Sequence, residues 1–214
     1  MLLDCAGLTV PGGSTVAVVG RSGSGKSVLA AVAARLRDPD EGTVSLDGVP
    51  LPELSRDTLR RAVGCAFERP ALVGSTIGDA IGLGLAEERV EQAARATRAH
   101  DFVCRLPEGY RTGLSVAAMS GGEAQRLGLA RAWPAQRLLV LDDATSSLDM
   151  VTEMQILNTI VGAGDRGRTR LIVTHRASTA ARADVVVWLA EGRVQASGPH
   201  ERLWLDPGYR AVFQ

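Results

Sequence analysis

Lysine is all but missing from this chain. Among its 214 residues there are 24 lysines and arginines together, and only Lys26 is a lysine. A chain that uses arginine everywhere else and keeps one ammonium needs it for geometry: a compact charge with rotatable donors fits among crowded anionic oxygens where a planar guanidinium is too wide. Other scarcities narrow the field. Acidic and basic residues balance at 24 each, and the pI is near 6.8. No positive excess is available to hold a polyanion, so nucleic acid is not an expected partner. The three cysteines, Cys5, Cys65 and Cys104, are scattered, odd in number and without a C-x-x-C pair, which argues against a disulfide framework or zinc site and for a reducing compartment. They read as small buried hydrophobes. His100, His175 and His200 lie too far apart in sequence to suggest a metal cluster. No stretch approaches the ~18 uninterrupted apolar residues of a membrane span, and no basic-then-apolar leader opens the chain, so the expectation is a protein soluble by itself.

What is present is a 45% hydrophobic chain, enough for one domain or a domain with a subdomain. Lys26 sits inside Gly20-Arg21-Ser22-Gly23-Ser24-Gly25-Lys26-Ser27, which fits the phosphate-loop template G-x-x-x-x-G-K-[ST] at every fixed position. Before it runs Thr15–Val19, apolar and β-branched; after it, from Val28 to Arg37, comes a stretch dense in Ala, Leu and Val. Strand, glycine turn and helix are the order the chemistry needs. Glycines let successive N–H groups turn inward around an anion, and the helix N-terminus adds partial positive charge. Ser27 would offer a hydroxyl to Mg2+. A glycine-rich turn matching by accident is the competing reading.

Alternating strand and helix signals indicate an α/β fold in three regions. Residues 1–69 hold turns, the phosphate loop, its helix and a hairpin expected at Gly42-Thr-Val-Ser-Leu-Asp-Gly48. Residues 70–135 look mainly helical, with Ala and Arg dense from Glu87 to Cys104. Strands return at Leu138–Leu141, Leu171–Val173, Val185–Leu189 and Arg193–Ser197.

Two further motifs add chemistry. Arg137-Leu-Leu-Val-Leu-Asp-Asp143 reads as a buried strand delivering two carboxylates at its carboxyl end, where open α/β sheets bind ligands. Asp142 would hold Mg2+ or its water, and Asp143 would face the water attacking a γ-phosphate. A strand ending in a polar turn is the alternative. Met119-Ser-Gly-Gly-Glu-Ala-Gln-Arg126 places Ser120 as an N-cap before a helix carrying Ala124, Leu127, Ala130 and Trp133 on one side until Pro134 stops it. That is a second anion-ready helix N-terminus, either an ordinary capped helix or a lid for a nucleotide held by another subunit.

Together these residues resemble the nucleotide-binding domain of an ATP-binding cassette transporter of the exporter type, from about Leu3 to the C-terminus. GRSGSGKS corresponds to Walker A, Met119–Glu123 to the signature, LLVLDD to Walker B, Ser147-Leu-Asp149 to the D-loop, and His175 to the switch histidine. The resemblance implies a P-loop ATPase fold: a mainly parallel core sheet flanked by helices, a small antiparallel β part and a helical subdomain. Residues 1–69 and 136–214 would form the RecA-like core, and 70–135 the signature subdomain. It implies ATP and Mg2+ as ligands, held by Gly20 to Val28 and metal-bound through Ser27, Asp142 and Glu68. Two such domains would close head to tail, the facing subunit contributing Ser120, Gly121, Gly122 and Glu123, and Asp149 contacting the facing subunit, while Asp143 and His175 act on the γ-phosphate. The other partner would be a transmembrane permease, which would hold the chain at the cytoplasmic side of the membrane.

The departures from the pattern carry their own expectations. Asp143 replaces the usual Glu and is one methylene shorter, which should slow hydrolysis. Glu68, in Cys65-Ala-Phe-Glu-Arg-Pro70, replaces the usual glutamine; it keeps a metal-binding oxygen and adds charge. The stretch between Thr112 and the signature is shorter than in most exporters, which puts one permease contact in doubt. The aromatic that stacks on adenine would lie before this chain begins, so purine selectivity should be loose, and the chain reads either as a fragment of a permease fusion or as a subunit completed by a partner. Three readings result: an energising ATPase subunit of an exporter, a weakly hydrolysing regulatory half of a heterodimer, and an ATPase of DNA repair or translation, which no basic face or long coiled-coil insertion supports.

Overall fold

A computed structural model describes residues 3–4, 7–162 and 167–214. The described residues pack as two compact units, one from Met1–Val63, Gln136–Asp143 and Ala163–Gln214, the other from Gly64–Ala135 and Ala144–Gly162.

The first unit is built on parallel strands. Thr15–Val19 (β1) is buried along its whole length, as expected of a strand covered on both faces. It lies between Thr169–Val173 (β6) and Val185–Ala190 (β7), and Leu138–Asp142 (β5) lies beyond β6, all parallel. Arg193–Gly198 (β8) returns antiparallel on β7 through Glu191 and Gly192, both at positive φ, as a two-residue hairpin turn requires. The core around Ala17, Val19, Ala180, Val186 and Tyr209 fills the face beneath β1 and β7. The strand register sets the geometry of the ligand edge: Val18 and Asp142 both pair with Val173. The carboxyl ends of β5, β6 and β1 therefore finish level with one another. This is the edge where parallel sheets place their ligands.

The hairpin of this unit pairs Ser45–Leu46 (β2) with Val49–Pro50 (β3). Asp47 and Gly48 form its turn at φ 53° and 82°. The sequence reading ends the hairpin where the structure turns it, because Asp-Gly accepts two consecutive left-handed residues. The helix after the phosphate loop, Lys26–Ala33 (α1), is shorter than the expected Val28–Arg37 and ends before Arg35, which is left-handed at φ 52°. Arg56–Ala62 (α2), capped by Ser55, is a helix that the sequence reading does not include.

The second unit opens at Gly64, within the strand Val63–Phe67 (β4), and continues with helices Ile77–Gly82 (α3), Glu87–Ala96 (α4), His100–Arg105 (α5), Gly121–Ala132 (α6) and Met150–Val161 (α7). The Ala- and Arg-dense stretch is two helices, broken at Arg98 with φ 58°. Ile77, Ile81, Phe102, Val103 and Leu127 are core residues, each fully buried or nearly so. Each such side chain contributes about 1.5–3 kcal/mol relative to exposure.

The cysteines depart from expectation. Cys65 is half-buried, but Cys104 is exposed, because it lies on the outer side of α5 one turn after His100. Cys5 lies outside the described residues. No helix among the described residues is long and apolar enough to cross a membrane.

Candidate functional site

The loop after β1 is shaped by backbone rather than side chains. Gly23 and Gly25 are left-handed at φ 80° and 98°, a conformation glycine adopts without Cβ strain and one that turns N–H groups toward a common centre. At Gly20 the limit is space. A Cβ there would come within 2.4 Å of the Leu189 carbonyl oxygen and 2.5 Å of Ser24 Oγ. Ser24 Oγ itself is buried without a hydrogen-bond partner among the described residues. Arg21, Ser22 and Gly23 are exposed, and Val28 is half-buried on the first turn of α1. Helix α1 starts with no side-chain cap and no acidic residue in its first turn, which leaves its leading N–H groups for an anion.

Lys26 is buried at the base of this loop. Its Nζ donates to the carbonyls of Gly20 at 2.9 Å and Arg21 at 3.1 Å. Burial lowers its pKa from the usual lysine value, and the carboxylates of Asp143 and Asp142 oppose that shift. An ammonium held by carbonyl dipoles and incompletely compensated by charge is suited to an anionic ligand. Ser27 Oγ donates to Asp142 Oδ1 at 3.1 Å, so a hydroxyl and a carboxylate oxygen already face each other. That pair fits Mg2+, which takes oxygen ligands and is commonly held by one or two protein groups plus phosphates and water.

Asp143 follows at φ 47°, a left-handed position that aspartate tolerates better than most residues. Its N–H donates to the Val173 carbonyl at 3.3 Å, and its Oδ2 lies 3.4 Å from Nε2 of His175, the second residue after β6. Half the His175 side chain is exposed, against about a quarter of Asp143 (50% and 26%). The first unit thus gathers Lys26, Ser27, Asp142, Asp143 and His175 at one sheet edge.

The remaining sequence candidates belong to the second unit. Ser120 caps α6: its Oγ accepts from the Glu123 N–H at 3.2 Å, while Glu123 Oε2 accepts from the Ser120 N–H and hydroxyl, each at 2.9 Å. These bonds, the backbone one foremost, hold the Glu123 carboxyl below the usual glutamate pKa. The helix start that the sequence offers as open to anions therefore already carries a carboxylate, because a Glu three residues after a Ser cap folds back in a capping box. Gly122 admits the chain closely, since a Cβ there would lie 3.1 Å from the Ser147 carbonyl oxygen. Asp149 caps α7 by accepting from the Thr152 N–H at 2.9 Å, and hydrogen bonding by Thr152 lowers its pKa. Glu68 is exposed just after β4.

Sequence reading did not single out Gln125. It is 1% exposed on α6, and both ends of its amide are engaged. The signal was a polar residue among the buried positions of a helix otherwise read for its apolar face.

Comparison with known proteins shows the family. The chain is 58% identical over 216 residues to the ABC transporter ATP-binding protein RamA of Streptomyces coelicolor, covering 99% of this chain and 34% of that protein. It is 42% identical over 214 residues to the ATP-dependent lipid A-core flippase of Chromohalobacter salexigens, covering 97% and 37%. A solved structure of a bacterial Atm1-family ABC exporter with ATP bound superposes with a TM-score of 0.88 at 36% identity, over 99% of this chain and 38% of that one. The chain spans about a third of the length of each of these relatives. With the ABC transporter family profile matching residues 3–146 and these relatives aligning over nearly the whole sequence, the chain belongs to the ABC transporter family and matches the ATP-binding part of its exporters.

Proposed function

We propose that this chain binds and hydrolyses ATP with Mg2+, closes head to tail on a second domain of its kind, and so powers a transmembrane exporter from the cytoplasmic side of the membrane. The observation that carries this reading is the shared sheet edge where Lys26, the Ser27–Asp142 pair and the Asp143–His175 pair meet. Within the proposed assignment, residues 1–69 and 136–214 form the RecA-like core and 70–135 the signature subdomain. Likeness across 99% of this chain to an Atm1-family ABC exporter with ATP bound supports ATP as the ligand and an exporter as the setting.

In this mechanism the amides of Gly20 to Val28 wrap the β- and γ-phosphates, and Lys26 turns its ammonium from backbone carbonyls onto phosphate oxygens. Ser27 and Asp142 would hold Mg2+, and on the sequence pattern Glu68 would be a further oxygen donor to it; when bound, the ion would supply charge that offsets the phosphates. Asp143 accepts the proton of the attacking water, and His175 orients that carboxylate and contacts the γ-phosphate. From the facing subunit, the Ser120 hydroxyl, the Gly121 and Gly122 amides and Glu123 complete the enclosure, and Asp149 contacts the facing subunit. Ser120 must then exchange its bond to Glu123 for one to phosphate.

A second reading comes from Asp143. Its short side chain stands on a left-handed backbone and is already drawn to His175, so its reach toward a water is limited. A weakly hydrolysing, regulatory half of a heterodimer fits that geometry. Single-turnover hydrolysis measured beside ATP-dependent dimerisation separates the two readings: cleavage of the bound ATP within seconds supports the first, and dimerisation without cleavage supports the second. Neither dimerisation nor cleavage would sink both.

A further inference from the structure

Gln125 joins three segments that are far apart in sequence. Its Nε2 donates to the Glu68 carbonyl at 2.8 Å and to Ser146 Oγ at 3.0 Å, and its Oε1 accepts from the Ser147 N–H at 3.0 Å. All of these residues belong to the second unit. Gln125 is 1% exposed, yet the groups it grips lie on or beside exposed residues: Glu68 is exposed, and Ser147 stands two residues before exposed Asp149. The same helix begins at Ser120. Packing reinforces the tie, since a Cβ on Gly128 would come within 2.6 Å of Pro70 Cβ, and one on Gly122 within 3.1 Å of the Ser147 carbonyl oxygen. Helix α6 is therefore pressed against the chain after Glu68 at one end and the chain before Asp149 at the other.

A buried amide with both donors and its acceptor used is a rigid three-way joint, because any displacement of one partner strands a polar group away from water. The geometry points to Gln125 as a positioning residue for the ATP reaction proposed above: it makes the Glu68 loop, the Ser120 helix start and the Asp149 loop respond to nucleotide as one body. At 1% exposure it is placed to act through these neighbours rather than on a ligand itself. Its role is that of an outlying support which fixes the residues that do. The inference rests on the ATPase reading and adds to it a route by which nucleotide capture at Ser120 reaches Glu68 and Asp149.

The test uses the full chain with MgATP. In Gln125→Met, which keeps length and removes the polar joint, kcat is expected to fall about tenfold while KM for ATP stays within about threefold. Gln125→Glu keeps the acceptor for Ser147 but removes the donor to the Glu68 carbonyl. Hydrogen exchange with and without MgATP then reads the joint directly. In the parent, residues 66–70 and 144–149 gain protection together; in Gln125→Glu, 144–149 gains protection and 66–70 does not. Ser146→Ala removes one bond and gives a smaller effect of the same sign, which keeps the test open should Gln125→Met fail to fold. Unchanged turnover and parallel protection in Gln125→Glu and Ser146→Ala overturn the inference while leaving the ATPase reading in place. A parent chain that neither binds nor cleaves ATP overturns both.

Discussion

Asp143 Oδ2 and His175 Nε2 stand 3.4 Å apart, so the acid that succeeds β5 and the imidazole beyond β6 face each other directly. If Asp143 is the proton acceptor, Asp143→Asn lowers ATP turnover by about 10²–10⁴. Asp143→Glu extends the carboxylate by one methylene and raises turnover, at about 1 kcal/mol of stability because glutamate is less at ease at φ 47°. Turnover at saturating ATP, with thermal melts alongside, reads both effects. No increase in Asp143→Glu would show that another group already supplies the base.

The Ser120–Glu123 box has a pH signature. Hydrogen bonds from Ser120 hold the Glu123 pKa below its ordinary 4.5, so the folded state binds this proton less readily than the unfolded one. The resulting stability is fully present above the unfolded value and is lost as pH falls through the lowered folded value. Comparing melts of the parent with Glu123→Gln from neutral pH to pH ~3, the parent's advantage should shrink on the acid side, and a constant difference would contradict the assignment. Ser120→Ala should cost about 1 kcal/mol at neutral pH through the lost cap.

The two described cysteines should differ in reactivity. Burial pushes the Cys65 thiol up to about 12, with Arg131 only partly opposing it, whereas Cys104 is exposed. Since the thiolate is the nucleophile, iodoacetamide at mildly alkaline pH should label Cys104 first and reach Cys65 only on unfolding. A Cys5→Ser background keeps the mass-spectrometric count simple. Equal labelling rates for the folded chain would contradict the burial of Cys65.

Much of the site was legible because its signals are local. Lys26 and its glycines sit between a strand and a helix within a dozen residues, and Asp142 and His175 each end or succeed an apolar strand. Parallel pairing then makes three strand ends level. The features that local signals do not carry are either conformational or long-range. The break at Arg98 and the end of α1 at Arg35 depend on left-handed residues with no glycine or proline to announce them. The strand Val63–Phe67 carries a glycine and a cysteine where β-branched residues would have marked it. Helix α7 was read only for its leading Asp149, although Ile156, Leu157 and Ile160 are buried at helical spacing behind it. Gln125 meets partners 57 and 21 residues away, a relation that no local pattern contains.

The account depends most on Lys26, whose buried ammonium now rests on two backbone carbonyls. Calorimetric titration of MgATP into the full chain and into Lys26→Ala tests it directly. Measurable affinity in the parent and a loss of about 1.5–3 kcal/mol in the variant, the range for hydrogen bonds to charged groups, is the predicted result. A parent without affinity for MgATP, or a variant that binds as tightly as the parent, would contradict it.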